Sequence, residues 1–455
     1  MGRIAYASVA DTLRLGAVVL APTVLQGVIL RRPGVTALAD ALELDRRAVL
    51  LLRRMRAKYG DGPLVLRTPL RKVVLVLSPE DVRRVLAGTP EPFAAGNREK
   101  RSALGHFQPD GVLVSHGRPR EDRRRFNEAV LDTHRSLHRL TDVFTAVLRQ
   151  ETSGLPREGT LTWDVFAPVW WRAVRRIVLG DTARDDDELV RLLNRLRADA
   201  NWSYLRPRRR ETYERFSARL RAHLGRAEPG SLAGLLPQTP VTERTRPESQ
   251  VAHWLFAFDA AGIAAFRALA LLTAHPGHAA RARAEIAGTS PDGPRELPFL
   301  RACVLESVRL WPTTLAILRD GTRATHWDGE AIPRQNPFLI HSSFVNRDEE
   351  ADPAANRFTP HIWLDGTADE RWSLVPFSRG PAQCPAQNLV LTVTSETLAA
   401  LLPGRDLRVA YPRDLEPGRD LPYSLDHFTL RFDVHRTGAD EEAGAGRAGA
   451  VHAGP

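Results

Sequence analysis

The chain is poor in cysteine, with only Cys303 and Cys384 among 455 residues. That excludes a disulfide framework of the small secreted kind, and a reducing cytoplasm is the compartment that fits. Lysine is equally scarce. Lys58, Lys72 and Lys100 are the only ones, so arginine carries almost all of the basic excess behind a net charge of +10. Alanine is abundant as well, which points to a GC-rich coding bias and weakens charge as evidence for a nucleic-acid partner. Also missing is an uninterrupted apolar run long enough to cross a bilayer. The most apolar early stretch, 15–30, is broken by Pro22 and Gln26 and is followed by Arg31, Arg32 and Pro33 rather than a cleavage site. The expectation is a packed N-terminal arm over residues 1–35 and no transmembrane segment. A weak peripheral membrane contact is the remaining reading.

What is present suits a large soluble core: 43% hydrophobic and 26% charged residues over 50.5 kDa. Helical periodicity dominates. It is expected over 36–59, 118–149, 163–224 with a break at Arg206-Pro207, a long apolar helix over 248–274, 279–286, 297–310, and from Cys384 to about Leu402. Ser78-Pro79-Glu80 reads as a capped helix start. Strands are expected near 64–77, 322–344 and 428–434, and loops over 90–117, 230–247 and 346–383. The fold class is therefore mainly α with a small β region. One large domain is expected over 36–435, with a Gly/Ala-rich disordered tail over 436–455.

The segment Phe377-Ser378-Arg379-Gly380-Pro381-Ala382-Gln383-Cys384 delivers a cysteine to the start of a helix. Amide N–H groups there stabilise negative charge and favour a thiolate, which is a suitable axial ligand for haem iron. Upstream, Glu306 and Arg309 sit three apart on an otherwise apolar helix, so they share a face and can form a buried pair. Asn356-Arg357-Phe358 lies between the two.

In that order, after a long apolar helix, these motifs resemble the cytochrome P-450 family of haem-thiolate monooxygenases, of the soluble actinobacterial-looking type. The resemblance runs from about Pro63 to Val434. It implies the family's single helix-rich domain, haem b (iron protoporphyrin IX) as cofactor and Cys384 as the iron ligand. Phe377 would pack beside it and Gly380 would shape the loop. Glu306, Arg309 and Arg357 would form a buried network behind it, and Arg123 and Arg319 would meet the haem propionates. Two departures stand out in the loop: Ala386 and Ala382 occupy positions usually held by glycine and a basic residue. A third lies in the propionate helix, where Pro119 replaces the aromatic or histidine.

The long helix departs most. Counting back from His275-Pro276 puts Asp259 at the family's acid position and Ala260 at its alcohol position; a register shifted by five would put Ala264 and Ala265 there instead. The gapless register is preferred because it keeps the helix length and the acid. Without a hydroxyl at Ala260, proton delivery must come from a substrate hydroxyl or ordered water. The alternatives are a peroxide-using enzyme, a non-hydroxylating one that couples or dehydrates, or a non-catalytic haem protein. The resemblance implies a pocket lined from 94–114, 202–216 and 256–265. An apolar small molecule, secondary-metabolite or lipid-like, is the expected substrate, with Phe107, Trp254, Phe256 and Phe258 as candidate contacts. A ferredoxin or flavoprotein reductase is the expected electron donor, steered by Arg120, Arg124 and Arg125. The run Arg206–Arg210 is taken as a solvated helix end. No nucleic acid is expected, because 54 acidic residues intersperse the basic ones and no binding motif occurs.

Overall fold

A computed structural model describes residues 3–68, 71–290, 293–412 and 414–437; the expected tail lies almost wholly outside these described residues. Helices form the bulk. The 28-residue helix Pro247–Ala274 is buried along most of its length, because apolar residues occupy nearly every face. Around it pack the helices Trp163–Leu179, Pro298–Leu310 and Gln387–Leu401, which share one large apolar core.

A six-stranded sheet forms the second unit of packing. Its order is Ala5–Tyr6, Leu64–Val65, Val74–Leu75, Pro337–His341, Ala316–Gly321, Phe93–Ala94. Two parallel pairings, Ala5 with Leu64 and Val74 with Phe338, interrupt an otherwise antiparallel sheet. The segment read as an N-terminal arm thus supplies an edge strand, and Ile4, Ala7, Leu15 and Val19 are buried in the sheet's core. A smaller sheet of three strands joins Gly159–Thr162, Arg431–Arg436 and Arg405–Tyr411.

The helices expected over 248–274, 279–286, 297–310 and after Cys384 occur close to their limits, but 118–149 is two helices, Gly117–Val130 and Thr141–Thr152, and 163–224 is broken at 180–186 as well as before Arg210. The capped start is present: the Ser78 hydroxyl accepts from the Asp81 amide at 3.2 Å. The helix expected over 36–59 is instead two, Pro33–Ala41 and Leu44–Tyr59, separated at Glu43, whose φ of 49° is left-handed. The loop expected over 90–117 carries a short strand and the helix Arg98–Leu104. Among the described residues, Val9–Gln26 and Pro247–Ala274 are long and apolar enough to cross a membrane by length and composition. The second is a core helix. The first runs past Pro22, which follows just after a π-helical turn, Gly16–Leu20.

Candidate functional site

The cysteine loop is fixed by its own backbone. The Cys384 amide donates to the Phe377 carbonyl at 2.9 Å, closing the loop before the helix Gln387–Leu401 begins. Gly380 has a φ of +69°, and a Cβ there would lie 2.4 Å from the Leu86 carbonyl oxygen. Only glycine lets the loop lie against the helix Pro79–Ala87. Ala386, where the family usually has glycine, has a φ of −93° and is unstrained. Burial pushes the Cys384 thiol up, opposed by the Ala386 amide and the charge of Arg124. A bound cation would reverse that balance by deprotonating the thiol outright.

Cys384 and Phe377 open onto a cavity of about 370 Å³. The wall beside them is cationic. Arg319 is buried; its guanidinium donates to the Thr89 hydroxyl at 3.2 Å and the Ser378 hydroxyl at 3.1 Å. Lys100 donates to the carbonyls of Ala95 at 2.8 Å and Leu318 at 3.3 Å. Arg120 is buried beside them. Among the described residues, none of these three has a carboxylate within ion-pair distance. Desolvation depresses all three, Lys100 to about 7 and Arg319 to about 10, with Arg120 adding like-charge repulsion on Arg319. Two buried cations and a half-buried one without ion-pair partners are costly, and a dicarboxylate seated in the cavity would complete them. A haem with its two propionates meets that requirement, and Cys384 lies in the same cavity wall.

Arg123 does not reach this wall. Its guanidinium is spent on Asp110 at 2.9 Å, the Ser115 hydroxyl at 2.6 Å and the Arg244 carbonyl at 2.8 Å. Arg120 and Arg124, four apart on the helix Gly117–Val130, take the cavity face instead. Arg124 also ties that helix to the cysteine loop through the Gln383 carbonyl at 2.7 Å. Of the arginines expected to steer a redox partner, Arg120 is therefore buried and Arg124 engaged. Only Arg125 is well exposed, and it pairs with Asp122 at 2.8 Å.

Behind the loop, Arg309 grips Glu306 with two parallel bonds of 2.6 and 2.8 Å. Both are almost completely buried, at 0% and 2% exposure. Glu306 also accepts from the Thr359 amide at 2.9 Å and the Trp363 indole at 2.8 Å. Burial pushes its carboxyl up, but the charge and hydrogen bonds of Arg309, with Thr359 and Trp363, hold it below the ordinary range. Arg309 donates further to the carbonyls of Asn346, Ala355 and Arg357. The Arg357 side chain is not part of this network. It lies at the surface, 3.8 Å from Asp420, and only its carbonyl takes part.

On the opposite wall, Phe256, Asp259, Ala260, Ile263 and Ala264 of the long helix face the cavity. Asp259 is ion-paired with Arg197, a residue that no motif or spacing in the chain marks. Arg197 comes from the helix Asp187–Ala200 and also lies 5.3 Å over the Phe256 ring. Gly262 faces away, against the Trp170 indole. Phe107 packs 5.4 Å behind Phe256 rather than lining the cavity, and Phe258 faces Trp170. Trp254 is likewise a core residue, bonded to Asn127 at 2.6 Å. The 94–114 segment contributes Ala95, Lys100, Val112 and Leu113, but 202–216 contributes nothing. Its place is taken by the 26–45 segment, held there where Asn201 bonds the backbone of Ile29 and Leu30. Arg206 and Arg209 clamp Asp199 at 2.9 and 2.5 Å.

The family model for cytochrome P450 matches residues 258–402. A Streptomyces melanosporofaciens protein described as cyclooctat-9-en-7-ol 5-monooxygenase is 28% identical over 415 residues, 81% of this chain and 87% of that protein. The probable mitochondrial cytochrome P450 12c1 of Drosophila melanogaster is 30% identical, but the match spans 26% of this chain and about a quarter (24%) of the fly protein's length. The retinoic acid-bound cyanobacterial CYP120A1 superposes with a TM-score of 0.69 at 16% identity, over 85% of this chain and 94% of that one. At that identity the likeness is one of fold.

Proposed function

This chain belongs to the cytochrome P450 family, and we propose that it oxidises an apolar small molecule with dioxygen and electrons from a ferredoxin or flavoprotein partner. The observation that carries the reading is the pairing, in one cavity, of Cys384 with a wall of desolvated cations, Lys100, Arg120 and Arg319, that have no carboxylate within ion-pair distance among the described residues. Haem b would be held by the Cys384 thiolate, with Arg120, Lys100 and Arg319 meeting its propionates. It would supply the oxygen-activating chemistry, with thiolate ligation favouring O–O cleavage. Phe377 packs at the cysteine, and Glu306 and Arg309 hold the polypeptide behind the loop. Cytoplasmic residence belongs to the same proposal.

The chain's own part in proton supply is unusual. Ala260 and Ala264 present methyl groups to the cavity, and Asp259 is already committed to Arg197. Neither alanine can carry a proton, so the donor is an ordered water beside Asp259 or a hydroxyl brought by the substrate. The Streptomyces relative is named for a reaction on an alcohol, and a secondary metabolite of that kind suits the cavity's apolar walls. The missing helix hydroxyl also favours a second reading, in which peroxide serves as the oxidant.

Parallel assays decide between them: substrate-dependent oxygen consumption with a surrogate ferredoxin and reductase, and product formation with hydrogen peroxide alone. Turnover that needs the reductase supports the monooxygenase. Faster turnover with peroxide alone would replace it with the second reading.

A further inference from the structure

The cavity has a second polar end, which the haem-binding wall does not account for. Arg267 lies seven residues beyond Ala260 on the same helix, so it sits about 10 Å further along the axis. One of its nitrogens donates to the Trp311 carbonyl at 3.1 Å, while its Nε is buried without a partner. Beside it, Arg31 reaches the Thr313 carbonyl at 3.4 Å with one nitrogen and leaves the other buried and unpartnered. Facing them are Asp45 and Asp426. Asp426 is 2% exposed; one oxygen accepts from the Phe428 amide at 3.1 Å and the other has no partner. His427 is 1% exposed and also has an unpartnered ring nitrogen. All five residues line the cavity.

Arg31, Arg267, Asp45 and Asp426 are electrostatic neighbours, yet among the described residues no ion pair joins them. Burial depresses Arg267 to about 10, raises both carboxyls and keeps His427 neutral. Buried donors and acceptors are rarely left open, so unpartnered ones that face a common space mark what that space receives. Guanidiniums and carboxylates stand opposite each other in near balance; Asp40, the remaining carboxylate of the cluster, already accepts from Ser424. A net ion would pair with one set and leave the other exposed to repulsion. A neutral group that both donates and accepts completes both.

We propose that this end of the cavity is a subsite for a substrate hydroxyl, so that the molecule oxidised is an alcohol or polyol with an apolar body. The hydroxyl accepts from Arg267 or Arg31 and donates to Asp426. The apolar body then lies along Ile263 and Ala264 towards Cys384, and the subsite fixes which carbon is presented there. The inference rests on the proposed oxidation of an apolar molecule and adds the group by which that molecule is held.

A matched probe series tests it. Equilibrium dialysis of the haem-loaded full chain compares adamantane, 1-adamantanol, 1-adamantanecarboxylate and N,N,N-trimethyl-1-adamantylammonium. The alcohol should bind roughly tenfold more tightly than the hydrocarbon, as expected for hydrogen bonds to charged groups. Arg267→Met and Asp426→Asn should each bring that preference below about threefold while adamantane binding changes less than about twofold. Equal binding of alcohol and hydrocarbon overturns the subsite, as does tighter binding of either ion. Retention of the preference in both variants overturns it too. Carbon monoxide spectra of the same preparations report the thiolate separately, so a normal spectrum without alcohol preference rejects the subsite alone.

Discussion

Two sets of buried charges lie close together in this molecule and are treated in opposite ways. Behind the cysteine loop, Glu306 and Arg309 satisfy each other, and every remaining valence goes to backbone, Thr359 or Trp363. In front of it, Arg120 and Arg319 are buried and Lys100 half-buried, and all three face the cavity with no carboxylate within ion-pair distance among the described residues. The closed set is a structural device, and the open set is the one proposed to meet the haem propionates. Burial alone does not separate the two; the presence or absence of the opposite charge does.

Breaking the closed set should cost most. Glu306→Gln leaves Arg309 buried and uncompensated, so the chain should lose about 3–5 kcal/mol in urea unfolding. Loss below about 1 kcal/mol would show that the pair does not close the network behind the loop. Gly380→Ala comes next. It places a Cβ against the Leu86 carbonyl at a left-handed φ and should cost about 1–3 kcal/mol, read as a lower melting temperature together with faster haem loss.

The open set should respond with the opposite sign. Arg319→Leu removes an uncompensated cation, so the haem-free protein should be no less stable. Its haem should nonetheless transfer to a scavenging globin roughly tenfold faster, because a propionate contact is gone. Parallel losses in both measurements would erase the distinction between the sets.

Lys100 gives the same contrast a pH signature. Its folded value of about 7 lies below the ordinary 10.5, so above pH 7 the unfolded chain binds more protons than the folded one. Stability of the haem-free protein should therefore rise with pH between about 7 and 10.5, and Lys100→Met should remove that component. Bound propionates would restore the ammonium, so the haem-loaded protein should lack it. The smallest structural effect belongs to Ala260→Thr. It should leave haem content and melting temperature unchanged and alter the fraction of reducing equivalents that reaches product. Loss of haem would move Ala260 from the proton path to the packing of the site.

The closed set was legible in the sequence because its partners are three apart on one apolar helix, and local spacing is what a sequence displays. The cysteine loop was legible for the same reason. The open set was only partly so. Arg120, Arg123, Arg124 and Arg125 crowd one turn, and the choice of Arg123 passes over His116, whose place four residues before Arg120 matches the histidine form of the pattern; the helix turns Arg123 towards Asp110 and Arg120 towards the cavity. Arg357 was misassigned because a motif reports a side chain, while the network uses that residue's carbonyl. The Asp259–Arg197 pair and the Arg31–Asp426 end of the cavity join segments far apart in the chain. Such pairings are made by tertiary packing and leave no local periodicity. The break at Glu43 was hidden too, since helical spacing continues on both sides of it.

The proposed oxidation turns on Cys384 serving as the thiolate ligand of a haem seated against those unpaired cations. The absorption spectrum of the purified protein, reduced and exposed to carbon monoxide, tests it most directly. Thiolate ligation should give a strongly red-shifted Soret band that disappears in Cys384→Ala. A Soret band typical of histidine ligation, or the same band in Cys384→Ala as in the parent, would contradict it.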